Sequence, residues 1–271
     1  MKKFIVLFLV ILSITACEEV VDIDVPFDDE RLVIDAAFKL IMSENEPTVR
    51  GEVRLLKTAP FFDDELPPVL DADVFITDLT TGQIIEFTDA NNDGVYSAQT
   101  EEIFQLNTTY ELTVIAEGNT YKASTQLVPT VPIDTIELGD TVIFDEDDKE
   151  VKITFTDIGA REDYYLFDFG FDNLLGTTED RFYDGQEFTF SYFYEDLNEG
   201  TPVTISIIGV DKQHYDFLNL LIEQSGQDGG GPFEAPPATV RGNIINTTNT
   251  DDFALGYFSI SETYEFSIVV E

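Results

Sequence analysis

The stretch that predicts the fold class is YELTVIAEGNTYKASTQL, residues 110–127. Apolar side chains alternate with polar ones over most of residues 110–116 and again of 120–127, which is the pattern of a strand with one buried face. The two runs flank Glu117-Gly118-Asn119, whose residue types favour a tight hairpin turn. This stretch therefore predicts two antiparallel strands joined by a turn.

More runs of this kind precede the hairpin. They lie at residues 31–38, 48–56, 72–78 and 83–88. The last two flank Thr80-Thr81-Gly82, which is a second turn signal. Short alternating strands at close spacing, without helical periodicity, are typical of β-sandwiches. We therefore expect residues 31–128 to form an immunoglobulin-like or transthyretin-like sandwich.

A linker is predicted after the hairpin, at residues 129–137, because this segment begins with Pro129-Thr130-Val131-Pro132. Residues 138–271 are predicted to form a second β-rich domain. In residues 164–171 and 188–194 every second side chain is aromatic, and we expect these strands to supply core and partner surface.

The second domain also contains one segment with helical spacing. Residues 212–224 place apolar side chains on one helical face, and Asp211 is suited to cap the N-terminus of such a helix. The chain is therefore predicted to be all-β, with two β-sandwich-like domains and one short helix in the second.

The N-terminus has the layout of a secretory signal. Lys2 and Lys3 precede an apolar run over residues 4–15, which is too short for a spanning helix of roughly 20 residues. Ala16-Cys17 then resembles a bacterial lipobox, so we expect residues 1–16 to be a lipoprotein signal peptide and Cys17 to carry lipid. An ordinary cleaved signal with an incidental cysteine, or an uncleaved anchor, stays open as an alternative.

The charge balance limits the partners. The chain has 54 Asp+Glu against 14 Lys+Arg, a formal net charge of −40. Nucleic-acid binding needs clustered basic side chains, so no nucleic-acid partner is expected. With 43% hydrophobic residues the chain is too apolar for a disordered acidic protein. Only residues 17–30, which are rich in Asp and Glu, are predicted to be an extended acidic tether.

Asp89, Asn91 and Asp93 form a candidate calcium loop. Alternating Asp and Asn before Gly94 can offer several oxygen ligands, which Ca²⁺ prefers. An EF-hand-type loop needs Glu at its twelfth position, however, where this chain has Thr100. A polar hairpin turn without metal is the alternative, and no other cofactor is expected besides the lipid on Cys17.

No residue is predicted to be catalytic, and the chain is expected not to be an enzyme. His214 is the only histidine, and no Gly-x-Ser-x-Gly segment accompanies it, so a structural or solvated role is expected. Carboxylate pairs such as those in residues 145–148 are frequent, but the sequence does not place any two at a catalytic distance.

The order of several segments resembles a known family. These segments are CEEVVDIDVP (17–26), RLVID (31–35), LKTAPFF (56–62), GVY (94–96), YELTV (110–114), YKAST (121–125), GNIIN (242–246) and LGYFS (255–259). They look like a Bacteroidota family of lipoproteins known only as a domain of unknown function, commonly encoded beside TonB-dependent receptors. The resemblance implies an outer-membrane lipoprotein that assists such a receptor, and it brings no catalytic residues. Acidic residues after Cys17 also resemble a surface-export signal, with a plain solvated linker as the alternative.

The predicted function is a lipid-anchored outer-membrane binding or accessory protein that assists a TonB-dependent receptor in nutrient uptake. Phe61, Phe62 and the loop at residues 226–237 are the predicted partner contacts, although the two phenylalanines could instead fold into the core. The alternatives are an envelope hydrolase that acts on glycan or peptide with paired carboxylates, and a structural or adhesive surface lipoprotein. The periplasmic and the cell-surface face of the membrane both stay open.

Overall fold

The structure, a computed structural model, describes residues 29–60, 63, 65–98, 104–139, 141, 149–170, 175–194, 200–225 and 239–269. These residues confirm an all-β fold with one short α-helix. The strands are β1 (Leu32–Ile41), β2 (Thr48–Arg50), β3 (Val53–Lys57), β4 (Asp73–Asp78), β5 (Ile84–Phe87), β6 (Val95–Tyr96), β7 (Thr109–Ala116), β8 (Asn119–Val128), β9 (Ile133–Leu138), β10 (Lys149–Thr156), β11 (Tyr164–Asp168), β12 (Leu175–Glu179), β13 (Glu187–Tyr194), β14 (Pro202–Val210), β15 (Ile245–Asn246) and β16 (Leu255–Val269). The helix, α1, spans Lys212–Ser225.

The strands of the first unit follow one another around a ring. Their order is β16-β8-β7-β4-β5 on one side and β16-β1-β3-β6 on the other. A single bridge between Thr88 and Ser97 joins the end of β5 to the end of β6 and completes the ring. Side chains that alternate inward from these strands, among them Ile34, Leu55 and Phe258, form one apolar core.

The predicted hairpin at residues 110–127 is confirmed as β7 and β8. Ala116 pairs with Asn119, so Asn119 belongs to the strand and the turn itself contains only two residues. Glu117 and Gly118 both have positive φ angles, 50° and 81°, as a type I′ turn requires. Its twist matches that of the flanking strands, which sets the register of the whole pair.

The second unit is a sandwich of two sheets. The sheet β12-β11-β14-β16 packs against the sheet β13-β10-β9. The predicted aromatic strands lie face to face in this core, where Tyr165, Phe167 and Phe169 are buried and the rings of Phe169 and Tyr192 stack 3.8 Å apart. Aromatic rings bury a large area per residue, so they fill a core between only seven strands.

Helix α1 covers the outer face of the larger sheet in the second unit, where Leu218 packs with Ile208 and Val210. The predicted cap is confirmed, because the side chain of Asp211 accepts a hydrogen bond of 2.7 Å from the backbone N–H of His214. None of the helices formed by the described residues is long and apolar enough to cross a membrane.

The last strand, β16, belongs to both units. Residues 255–263 pair in parallel with β1, and residues 263–269 pair antiparallel with β14. The division predicted from the sequence gives all of residues 138–271 to the second domain, whereas the structure packs Ile244, Ala254 and Phe258 in the first core. The reason is that one side of β1 pairs with β16, and β16 comes from the other end of the chain.

The segment predicted as a linker is packed between the units. Thr130 and Val131 are buried, and the backbone N–H of Thr130 donates to Glu262 of β16. A Cβ atom on Gly209 would lie 2.3 Å from the carbonyl oxygen of Pro129, so β14 approaches this segment at backbone contact. The two units therefore touch along the linker as well as along β16.

Candidate functional site

In the candidate calcium loop, backbone N–H groups of the turn are hydrogen-bonded to carboxylates of the same turn. The two side-chain oxygens of Asp89 accept backbone N–H groups of Asn91, Asp93 and Gly94 at 3.0–3.2 Å. Burial acts to raise the pKa of Asp89, but these backbone hydrogen bonds outweigh it and the pKa is lowered. The carboxylate of Asp93 accepts the N–H of Val95 in the same way. Asp89 is thus ionised and already hydrogen-bonded within the turn.

This turn borders a groove of about 470 Å³ beside β4 and the end of β5. The groove is lined by the carboxylate residues Asp71, Asp73, Glu86 and Asp89 together with apolar residues that include Ile115. Asn92 also reaches the groove, while Asn91 and Asp93 are not among its lining residues. Carboxylates next to apolar side chains suit a ligand with a cationic or hydroxyl-bearing part and an apolar body.

A second acidic site lies in the other unit, where two loops meet. Carboxylate oxygens of Asp157, Asp180 and Asp184 all lie within 4.8 Å of one another, and Asp157 and Asp180 are buried. Asp157 comes directly after β10, and Asp180 begins a short 3-10 helix after β12. Three such oxygens are the kind of ligand that a hard cation accepts.

Each of the three carboxylates is already used by the protein. Asp157 accepts the N–H of Gly185 at 2.8 Å, Asp180 accepts the N–H of Asp163 at 2.9 Å, and Asp184 accepts the N–H of Ala160 at 2.9 Å. Since every bond runs from one loop to the other, the cluster fastens residues 157–163 to residues 180–185. This is the role that the geometry supports directly.

Tyr165 supplies the buried donor of this acidic cluster. Its hydroxyl donates to Asp157 and lies 3.2 Å from Oδ2 of Asp163. Burial, followed by the hydrogen bond to Asp157, raises the pKa of Tyr165, so the hydroxyl keeps its proton. Burial also raises the pKa of Asp163, against the opposing effect of Arg161, whose Nε lies 2.5 Å from Asp163 Oδ1.

Three basic side chains lie on β1 and on the two strands that pair antiparallel with it, β2 and β3. Lys39, Arg50 and Arg54 line a groove of about 430 Å³, in which Ala37 and Gly51 leave little side-chain bulk. Each cation has an acidic neighbour, with N–O distances of 3.3 Å from Lys39 to Asp168, 2.7 Å from Arg50 to Glu265 and 2.9 Å from Arg54 to Glu52. The Arg50 and Arg54 pairs are exposed and contribute about 0–1 kcal/mol each, so they shape the groove more than they stabilise the fold.

His214 is part of the packing between α1 and β16. Its ring is buried and stacks on Tyr257 at 4.3 Å with an interplanar angle of 11°. Burial lowers its pKa to about 4, although Asp211 acts in the opposite direction. The neutral ring is therefore the form present near neutral pH, and the predicted structural role agrees with this position.

Two of the segments that carry the family resemblance, residues 242–246 and 255–259, make contacts that hold β16 in place. The side-chain amide of Asn243 donates to the carbonyl of Phe258 at 2.8 Å and accepts its N–H at 2.9 Å. Gly242 and Gly256 approach so closely that a Cβ on Gly242 would lie 1.7 Å from the carbonyl oxygen of Gly256. These segments thus have a structural explanation.

Several predicted site residues lie outside the described part of the chain. They are Cys17, Phe61, Phe62 and residues 226–237, together with residues 17–28 of the acidic tether. Conversely, the sequence alone did not reveal the cluster of Asp157, Asp180 and Asp184, because its members come from loops more than twenty residues apart. The sequence signal that could have revealed this cluster is the set of aspartates near the ends of the aromatic strands.

Three comparisons relate the chain to known proteins. Residues 18–267 match a family described as "Domain of unknown function (DUF4249)". None of the curated proteins matches the chain. Among solved structures, a match is the selenomethionine-substituted interferon gamma receptor alpha chain from chicken, with 12% identity over 67% of this chain and 89% of that chain. The TM-score of that match is 0.20, which is too low to carry a structural argument.

Proposed function

The chain belongs to the DUF4249 family, whose description names no activity, and from its own residues we propose that it is a lipid-anchored outer-membrane binding protein that assists a TonB-dependent receptor. The observation that carries the proposal is the order of residues 1–30. A basic start, a short apolar run and Ala16-Cys17 precede a tether dense in Asp and Glu. Lipid on Cys17 would hold the folded body close to the membrane.

The fold supports this role because β1, the first described strand, pairs with β16, which also belongs to the second unit. Residue 31 is followed at once by β1, which lies between β3 and β16 in the first unit. Since β16 also pairs with β14, an anchor at the N-terminus would position both units together. A confined body meets a receptor in the same membrane at a high effective concentration, so weak contacts suffice.

The resemblance to lipoproteins encoded beside TonB-dependent receptors supplies the proposed partner. The groove beside Asp89 offers a place for a ligand of the receptor, since it combines carboxylates with apolar side chains. An enzymatic role is less well supported, because the buried carboxylates of Asp157, Asp180 and Asp184 are all engaged in hydrogen bonds that join two loops.

The anchor is tested by replacing Cys17 with Ala in the full chain. We expect the variant to leave the membrane fraction and to lose labelling by radioactive palmitate, because the acceptor sulfur is gone. Ser13→Ala, which changes the leader but keeps the cysteine, is the matched control and should stay labelled. Membrane retention of Cys17→Ala, with no label in the wild type, would contradict the proposal.

The partner is tested by purifying the protein from solubilised outer membrane under mild conditions. A TonB-dependent receptor that copurifies in fixed stoichiometry supports the accessory role. Turnover of glycan or peptide by the isolated protein, without any copurifying receptor, would overturn it in favour of an envelope hydrolase.

A further inference from the structure

The outer edge of β13 is the feature from which we draw a further inference. β13 pairs with β10 over eight residue pairs, from Lys149 and Tyr194 to Thr156 and Glu187. On its other side, no strand among the described residues pairs with it. A regular strand of eight residues thus offers one full row of backbone donors and acceptors.

The backbone groups that point outward can be identified from one hydrogen bond. The N–H of Asp157 donates to the carbonyl of Gln186 at 3.1 Å, so these two residues form a hydrogen-bonded pair. Such pairs alternate along an antiparallel ladder, and therefore Thr189 and Ser191 are in pairs whose N–H and C=O groups point away from β10. The hydroxyls of Thr154 and Thr189 lie 2.8 Å apart, as expected for the closer side chains of such a pair.

The opposite edge of the same sheet is protected in a way that β13 is not. β9 carries Asp134 and Glu137, and its register with β10 shifts next to Phe155. Charges and irregular register are the usual means by which an edge avoids pairing with another chain. After Glu187, β13 has neither a charged residue nor a proline, and its eight pairs run without a shift.

We propose that the outer edge of β13 binds an extended segment of a partner protein as an added strand. The proposal rests on the accessory function proposed above and names the surface through which the partner is held. Main-chain hydrogen bonds to Thr189 and Ser191 supply the affinity in this mode of recognition. Alternate side chains of the added strand would lie beside Phe188, Phe190 and Tyr192, which are half-buried, so an alternating apolar sequence fits.

The charges at the ends of β13 indicate which residues should flank the added strand in the partner. In the sequence, acidic residues stand at both ends of β13, because Glu187 is its first residue and Glu195 and Asp196 directly follow Tyr194. A strand whose middle is uncharged and whose two ends are acidic favours a partner segment with Lys or Arg at both ends. A second copy of this chain is disfavoured as the occupant, since each copy has a net charge of −40.

The test uses the full chain in detergent and a fluorescent peptide that alternates Val and Thr over six residues, with two lysines at each end. We expect it to bind the wild type in an anisotropy titration. Thr189→Pro should weaken binding by about tenfold or more, because proline removes an outward N–H and leaves the bonds to β10 intact. Thr189→Ala is the matched control, since it loses the same hydroxyl but keeps the N–H, and its affinity should stay within about twofold.

Two changed peptides keep the test independent of how well the proline variant folds. A peptide methylated on the backbone nitrogen of all six central residues loses every donor that could face β13, and one flanked by glutamates reverses the charge. Both should bind the wild type about tenfold more weakly. Equal binding of the methylated and unmethylated peptides, or no binding of the lysine peptide, would overturn the proposal.

Self-association is the remaining outcome that would overturn it. If the wild type sediments as a dimer and Thr189→Pro as a monomer, the edge binds a second copy instead of a partner. Palmitate labelling of Cys17 is unaffected by any of these results. The experiments can therefore contradict strand binding at β13 without contradicting the membrane anchor, and the reverse is also true.

Discussion

The two units of the molecule bury their sheets in different ways. In the first unit the strands follow one another around a ring, and the core is built mainly from aliphatic side chains, with four phenylalanines and three tyrosines among the described residues. In the second, two sheets face each other with open edges, and stacked aromatic rings fill the space between them. The first unit thus satisfies most of its edge hydrogen bonds internally, whereas the second leaves β13 available for another chain.

The units also differ in what fastens their loops. Tyr96 in the first unit bonds only to backbone, with its hydroxyl 3.0 Å from both the carbonyl of Val69 and the N–H of Ala72. Tyr165 in the second unit bonds to carboxylates that are themselves buried. Buried charge is costly unless it is hydrogen-bonded, so the second unit depends more on each polar contact and on pH.

The largest effect is expected where the two units share a strand. Gly256 has a φ angle of 98°, and a Cβ placed there would lie 2.0 Å from the carbonyl oxygen of Ile34. Gly256→Val should therefore lower the free energy of unfolding by about 4 kcal/mol or more. Urea unfolding measures this loss, and hydrogen exchange should accelerate in both β1 and β14 because β16 pairs with both.

Gly82→Ala is the control for this substitution. Gly82 also has a positive φ angle, 76°, but no atom lies within 4 Å of the added carbon. Its cost should be about 1 kcal/mol, which is that of the backbone conformation alone. If hydrogen exchange in Gly256→Val became faster only in the first unit, β16 would not couple the stabilities of the two units.

The next effect compares the two tyrosines directly. Tyr165→Phe leaves Asp157 and Asp163 without their buried donor, and it should lower the free energy of unfolding by about 2–3 kcal/mol. Tyr96→Phe removes hydrogen bonds to neutral backbone groups only, and a loss of about 1 kcal/mol is expected. Both are measured by urea unfolding at neutral pH, and the contrast between the units fails if Tyr96→Phe is the more damaging change.

A somewhat smaller effect should depend on pH. The pKa of His214 is about 4 in the folded chain and 6.5 without burial, so the unfolded chain takes up the proton first as pH falls. The stability contributed by the neutral ring is thus fully present above pH 6.5 and is lost between about pH 6.5 and 4. Between pH 7.5 and 5 the loss should be about 2 kcal/mol.

The control for this prediction is His214→Gln, which cannot titrate. Its unfolding free energy is measured at the same two pH values, and the difference between the two proteins isolates the histidine from the many carboxylates. An identical pH dependence in both proteins would contradict the burial of an uncharged ring against Tyr257.

The smallest effect should be a gain in stability, from a substitution in the first unit. Glu117 holds a left-handed conformation in the two-residue turn between β7 and β8, and Asn adopts that conformation more readily than Glu. Glu117→Asn should raise the free energy of unfolding by about 0.5 kcal/mol, after the loss of an exposed ion pair with Lys57. A shift of the urea midpoint to lower concentration would argue against the turn type described above.

The features that the sequence predicted correctly are local ones. The hairpin at residues 110–127 and the helix after Asp211 depend on neighbours within a few residues, and both are present. The pairing of Val33 with Leu255 could not be predicted this way, because more than two hundred residues separate the two strands. The same holds for the acidic cluster, whose members meet only after β10 and β12 are in place.

The segment at residues 129–137 shows a different limit. Its two prolines suggest an exposed connection, yet Thr130 and Val131 are among the buried residues. Proline marks where a strand is interrupted, but it carries no information about what packs against the interruption. Here β14 and β16 do so, and each lies far along the chain.

The parallel pairing of β1 with β16 has a consequence for the order in which the protein is made. Synthesis produces β1 long before β16, so the ring cannot close until β16 has left the ribosome. One side of β1 therefore stays unpaired until β16 has been made, although β2 and β3 can pair with it much earlier, and the first unit acquires its final shape only at the end of synthesis.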